Sequence, residues 1–244
     1  MKPTLQNEKE QEMWNFFEKN NFTKKGYYPV CKKQDSTSPL DSKFGGSVFY
    51  LPGKEIPQCA ECHQPKEVLL SLNLSKAPEP VRALFPENYK DALVEFLYCT
   101  ECMSSNEEDT IEVLIFTPDQ FDKLIVKEPI EDAKIEPTLI ERWEEFIDFD
   151  GTSNEYFEKL GESGLNDGEM EDFIKDVRGR YAAKTHLLGY PYLQEGEYDV
   201  GEGYVYLANI EDDNNFSMML GDAGVGQIWM TTGADFGKFN FTYM

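Results

Sequence analysis

Histidine is almost missing from this chain. His63 and His186 are the two it has in 244 residues. Any imidazole-based mechanism therefore has two candidates, and no His-Glu-x-x-His metal helix can be written. There is no Gly-x-Ser-x-Gly elbow for a nucleophilic serine. Long apolar runs are also lacking. No stretch approaches the roughly 18 apolar residues of a membrane-spanning helix. Residues Met1 to Glu12 are polar and charged, so no secretory signal is expected. Basic side chains are scarce, 23 against 46 acidic ones, for a net charge of −23. Nucleic acid and anionic lipid both call for a basic face, so neither is an expected partner. What remains is either solubility or attraction to a basic protein.

Two further templates fail on detail. Gly221-x-x-Gly224-x-Gly226 lacks the Lys-Ser/Thr of a phosphate loop and precedes a strand-like segment rather than a helix. Asp148-x-Asp150-Gly151 places its glycine too early for a calcium loop. Acidic side chains abound, but their number alone places no paired-carboxylate chemistry, and no catalytic residue is assigned.

The clearest chemical signal present is a double Cys-x-x-Cys pattern, Cys59/Cys62 and Cys99/Cys102. Each pair can form a knuckle that offers two thiolates to one ion. Four thiolates close a tetrahedron around Zn²⁺ and leave no open position for water, so the expected role is structural. The segment between the pairs is longer than the roughly 15–20 residues of a typical zinc ribbon. Reduced, unliganded thiols and two local redox pairs are the alternatives. His63, next to Cys62, could replace a ligand. Cys31 has no partner motif and reads as a buried small residue. Cysteines at this spacing without a signal peptide fit a reducing compartment, and cytoplasm is the expected location.

Along the chain, Asn7 and Glu10 form a capping box before Met13, Trp14, Phe16 and Phe17, which predicts an amphipathic helix over 7–20 that docks on the body. Lys32 to Pro39 reads as a polar loop. Val68–Leu74, Ala92–Tyr98 and Ile111–Phe116 read as strands, and Pro118 opens a helical turn to Leu124. Leu139, Trp143, Phe146 and Asp150, flanked by Ile140 and Ile147, predict a helix over Pro137–Phe149. Asn166 and Glu169 cap a second helix with Met170, Phe173, Ile174 and Val177 on one face and Gly179 at its end. Residues 136–172 are strongly acidic, with Arg142 and Lys159 their basic side chains, and the acids fall on the outward faces of these helices. Tyr204–Ile210, Gly226–Thr231 and Phe236–Tyr243 return to strands.

The order of glycine turn, strand ending in Asn-apolar, break and strand occurs twice, starting at Gly45-Gly46 and at Gly189-Tyr190. The predicted class is therefore α+β, mostly β, with internally duplicated β-units and helices at the N-terminus and between the halves. The expected divisions are a docking helix at 1–25, a first β-unit at about 40–126, an acidic helical insert at about 136–180 and a second β-unit at about 184–244.

Several ordered motifs carry a family resemblance: Ser42-Lys43-Phe44-Gly45-Gly46, Tyr50-Leu51-Pro52, Pro57-x-Cys59-x-x-Cys62 and Leu70–Leu74. The later ones are His186-x-Leu188-Gly189-Tyr190-Pro191 with Gln194, and Gly221-Asp222-Ala223-Gly224. Over about 40–244 the chain resembles the YwqG-like family, a bacterial domain family of unknown function. It departs from that pattern at Val48, where a proline is usual, and at Met219-Leu220, where a tryptophan is usual. The resemblance implies a duplicated, mostly β fold and kinship with the TYPP group, which includes programmed cell death protein 2 and ribosomal-protein chaperones. Some family members serve as immunity proteins against toxins.

The function expected from this is a non-catalytic, chaperone-like module that holds a basic protein or peptide. Its ligand residues would be Lys43, Phe44, Gly45, Gly46, His186, Gly189, Tyr190, Gln194, Asp222 and Gly224. Toxin neutralisation is one alternative. A small-molecule enzyme using His186 and Asp222 is another.

Overall fold

The computed structural model describes residues 4–101, 111–129, 132–151, 153–181, 185–191, 202–211 and 225–243. Helix α1 (Glu8–Lys19) starts as the capping box predicts. Glu10 N donates to Asn7 Oδ1 at 2.9 Å, and Gln6 N donates to Glu10 Oε2 at 2.8 Å. Its Met13, Trp14, Phe16 and Phe17 are buried. Phe17 stacks on Tyr156 at 5.7 Å and lies 4.9 Å from the Phe149 ring. Tyr156 belongs to α3 (Asn154–Ser163), and Phe173 of α4 (Asp167–Tyr181) joins the same cluster. The three helices thus share one aromatic core at the end of the sheet. A short helix, α2 (Glu79–Arg82), lies elsewhere.

Twelve strands stand among the described residues, and ten of them form one sheet. In sequence order these ten are β1 (Thr23–Lys33), β2 (Ser42–Phe44), β4 (Glu67–Asn73), β5 (Leu93–Tyr98), β6 (Ile111–Phe116), β8 (Thr138–Phe149), β9 (His186–Leu188), β10 (Tyr204–Glu211), β11 (Val225–Thr231) and β12 (Phe239–Tyr243). Their order across the sheet is β12-β11-β10-β9-β1-β8-β2-β4-β5-β6. The two ends roll toward each other into a nearly closed barrel. Phe96 meets Phe239 at 5.6 Å and Tyr98 meets Phe241 at 5.3 Å. A separate two-stranded ribbon, β3 (Val48–Tyr50) with β7 (Ile125–Lys127), covers part of the outer face.

The predicted helix over 137–149 is strand β8. It pairs antiparallel with β1 along its whole length, from Thr23↔Phe149 to Lys33↔Thr138. The helical spacing has a local cause. The register shifts between Val30 and Cys31, whose partners are Arg142 and Ile140, so Glu141 is an extra residue in β8. One extra residue switches the alternation of a strand. Ile140 and Trp143, three apart, therefore face the same core. With this correction, the acidic segment 136–172 is part strand and part helix. β1, which precedes residue 40, lies in the middle of the sheet.

The two flanks of the β1–β8 pair match strand for strand. β2 pairs with β8 and leads to β4-β5-β6; β9 pairs with β1 and leads to β10-β11-β12. Each flank carries a register shift at a corresponding place, between Val68 and Leu70 in β4 and between Tyr206 and Ala208 in β10. Among the described residues no helix is long and apolar enough to cross a membrane.

Phe17 is 0% exposed and joins α1 to both other long helices, so Phe17→Ala should cost about 3–5 kcal/mol. Equilibrium urea unfolding measures this. A loss under about 1 kcal/mol would mean that α1 is a dispensable appendage.

Candidate metal centre and ligand residues

The first knuckle is a tight hairpin from Gln58 to Pro65. Cys59 N donates to Gln64 O at 2.9 Å and His63 N to Cys59 O at 3.0 Å, with His63 at φ 60°. Cys99 follows β5 directly, so the ladder between β4 and β5 brings it to the knuckle. The Sγ atoms of Cys59, Cys62 and Cys99 all lie within 4.8 Å of one another, and those of Cys62 and Cys99 are 3.5 Å apart. Two sulfurs on a tetrahedral zinc, with bonds near 2.3 Å, sit about 3.8 Å apart, so the three thiols are already at ligand spacing. Cys59 and Cys99 are buried and Cys62 half-buried, which keeps water from the cluster. Cys102, the fourth expected ligand, lies outside the described residues. His63 is exposed and does not join the three-cysteine cluster. Cys31 packs half-buried against the main core.

Sequence spacing did not reveal Glu67, which braces this corner. Its side chain is buried and takes the Thr100 hydroxyl on Oε1; Lys134 N donates to Oε2 at 2.9 Å and Ile135 N at 3.1 Å. It ties the residue after Cys99 to the segment that leads into β8. Its partners are distant in sequence, so nothing local identifies it.

The expected ligand residues fall on two corresponding places, not one. β2 and β9 are separated by β8 and β1, three strand steps or about 14 Å. At the first place Lys43 is buried. Its Nζ donates to Asp35 Oδ1 at 2.9 Å and to Ser36 O at 2.6 Å, and it sits 5.3 Å from the centre of the Phe49 ring. Phe44 is buried. Gly45 and Gly46 have φ of 57° and 78°, and a Cβ on either would fall onto Ile135 O or the Asp35 carboxylate. Asp35 also accepts from Ser47 N at 3.0 Å and from Ser47 Oγ at 2.6 Å. Burial pushes its pKa up, but the Ser47 hydrogen bonds and the Lys43 ammonium outweigh that and hold it below the usual carboxylate range.

At the second place Leu188 and Gly189 repeat the backbone, with φ of 56° and 81°. Here Asp148 does the work of Asp35. It accepts from Tyr190 N at 2.7 Å, and a Cβ on Gly189 would lie 2.7 Å from its Oδ2. His186 Nε2 is 3.2 Å from Tyr206 Oη, and its ring stands edge-on to Phe146 at 5.5 Å. Burial, then Asp150 and Asp148, raise the Tyr190 hydroxyl well above its usual range. Gln194, Asp222 and Gly224 lie outside the described residues.

From these two places, rows of buried polar side chains run outward. Lys43 faces Ser71, which faces Glu95; His186 faces Asn209, which faces Gln227, which faces Thr242. Glu95 is fully buried, and Phe49 N donates to its Oε2 at 3.1 Å. Burial pushes its pKa from 4.5 up to about 8; the Phe49 amide, the Lys43 charge and Ser71 offset only part of the effect.

A raised carboxyl binds its proton more tightly in the folded chain, so stability should fall as pH rises from about 4.5 toward 8. Glu95→Gln, which mimics the protonated acid, should remove that slope. Urea unfolding across this pH range checks it, and equal slopes in both proteins would show that Glu95 does not bind a proton on folding. For the cluster, Cys59→Ser should abolish metal binding and lower thermal stability together if an ion is held there. Elemental analysis and a thermal melt read both.

No curated protein matches the chain. A family model does, over residues 42–243, and it covers β2 through β12 while starting after β1. The chain belongs to the family described as the domain of unknown function DUF1963.

Proposed function

We propose that the protein is a non-catalytic binding module for a basic protein partner, with a structural zinc ion at the cysteine cluster. The observation that carries this reading is on α3. Phe157 is 58% exposed, on a short helix that also exposes Glu155, Glu158 and Glu162. An exposed aromatic on an acidic helix offers an apolar anchor inside an attractive field for cations. The field is felt nearby: burial and then Asp167, Asp150 and Glu171 push the Tyr156 hydroxyl up to about 12. The buried aromatic core beneath α3 gives the anchor a rigid base. The glycine turns at 45–46 and 188–189 serve the chain's own carboxylates in this reading, and the client contact shifts from them to the α3–α4 face.

For the zinc, three thiols at ligand spacing support Cys59, Cys62 and Cys99 as ligands, and Cys102 is the proposed fourth. The ion would lock the knuckle to the end of β5. The strand order, the paired register shifts and the two carboxylate-held turns support reading the halves as copies of one unit. That duplication is what the YwqG-like and TYPP resemblance implies, and with it a cytoplasmic, chaperone-like role.

The test is capture of partners from host lysate by the wild type and by Phe157→Ala, at low and moderate salt. One dominant basic partner, retained at moderate salt and lost in Phe157→Ala, is the expected result. A ribosomal protein would indicate chaperone work, and a toxin would indicate immunity. Many basic proteins lost together as salt rises, with no dependence on Phe157, would overturn the reading.

A further inference from the structure

The ribbon of β3 and β7 has an open edge along β7. Ile125, Val126 and Lys127 pair with Tyr50, Phe49 and Val48, and no other strand among the described residues takes the second edge of β7. All three residues are exposed, Ile125 at 39% and Val126 at 37%. Bare main-chain donors and acceptors flanked by apolar side chains form a template for a further strand.

A cleft of about 350 Å³ adjoins this ribbon. Tyr50 and Lys127 line it on the ribbon side and Lys54, Ile56 and Gln58 on the other. Its far wall belongs to the cysteine knuckle, because Gln58 is bridged to Pro65 next to Cys59. The charge of the cleft runs against that of the chain. Lys54 and Lys127 enter it from separate segments, with Glu55 as the acid among its lining residues. Among the described residues neither lysine is in an ion pair, unlike Lys33 and Lys134. Two lysines against one glutamate give this cleft an excess of positive charge in a chain with net charge −23, which attracts an anion.

We propose that an extended acidic peptide segment binds here, adding as a strand to the open edge of β7 and placing a carboxylate within reach of Lys54 and Lys127. Main-chain pairing supplies affinity with little sequence demand, and the lysines select for an acid. A peptide fits better than a small anion because Lys127 belongs to the strand whose edge is unpaired. The site is independent of the acidic α3 face and takes the opposite charge.

The probe is a fluorescein-labelled peptide of alternating valine and threonine with one central glutamate, titrated against the full-length protein by fluorescence anisotropy. Saturable binding is expected. Lys54→Ala and Lys127→Ala should each weaken it about threefold and the double variant about tenfold, the range of exposed ion pairs. Replacing the glutamate by glutamine should cost as much as the double variant. A peptide N-methylated on alternate amides should lose binding, because it cannot pair with the edge. Both lysines are exposed, so their variants should melt as the wild type does. No binding up to millimolar peptide, or binding indifferent to both lysines, would overturn the proposal. So would binding that survives N-methylation and is displaced by inorganic phosphate, which would indicate a bare anion site.

Discussion

The antiparallel ladder between β1 and β8 is the constraint on which the rest of the structure depends. It is the longest pairing in the sheet, and each half is hung on the other half's central strand: β2 on β8, and β9 on β1. Neither flank can close its hydrogen bonds without the opposite half. The two flanks then curl toward each other and bury Phe96, Tyr98, Phe239 and Phe241 between them. A cooperative barrel therefore rests on two strands that are more than a hundred residues apart in sequence, and the β1 half of that ladder precedes the part matched by the family model.

The carboxylates at the turns follow from this exchange. Each flank leaves the central pair through two residues with positive φ, and the amide that follows would be stranded without an acceptor. Asp35 and Asp148 supply it from the central-strand side. Glycine is required where the carboxylate comes closest, since a Cβ at Gly46 or Gly189 would strike it. These glycines look like ligand contacts in the sequence because both uses need a backbone without a side chain.

Under the ribbon, the outer face of the sheet buries charged and polar side chains among apolar ones. Lys43, Ser71 and Glu95 lie buried beneath β3, and an isolated ion there would be costly. Lys43 is paired with Asp35, and burial raises the pKa of Glu95 to about 8, which favours its neutral form. Glu67 plays a comparable part at the cysteine corner, where three main-chain or hydroxyl donors satisfy it. The cysteine corner and the ribbon thus each rest on a buried acid that has partners.

The amino-acid sequence by itself determined the docking helix, through the Asn7–Glu10 cap and its aromatic face, and most outer strands, through their apolar runs. It also determined the Cys59–Cys62 knuckle, because Cys-x-x-Cys is a local geometry, whereas the β4–β5 ladder brings Cys99 to it. Only the tertiary structure decided that 138–149 is a strand. The bulge at Glu141 gives it helical spacing, and a bulge is fixed by the partner strand across the sheet. Tertiary structure alone also decided the places of Asp35, Asp148, Glu67 and Glu95. Their roles come from amides and ammonium groups that the fold brings from far along the chain, and short-range pattern carries no record of such partners.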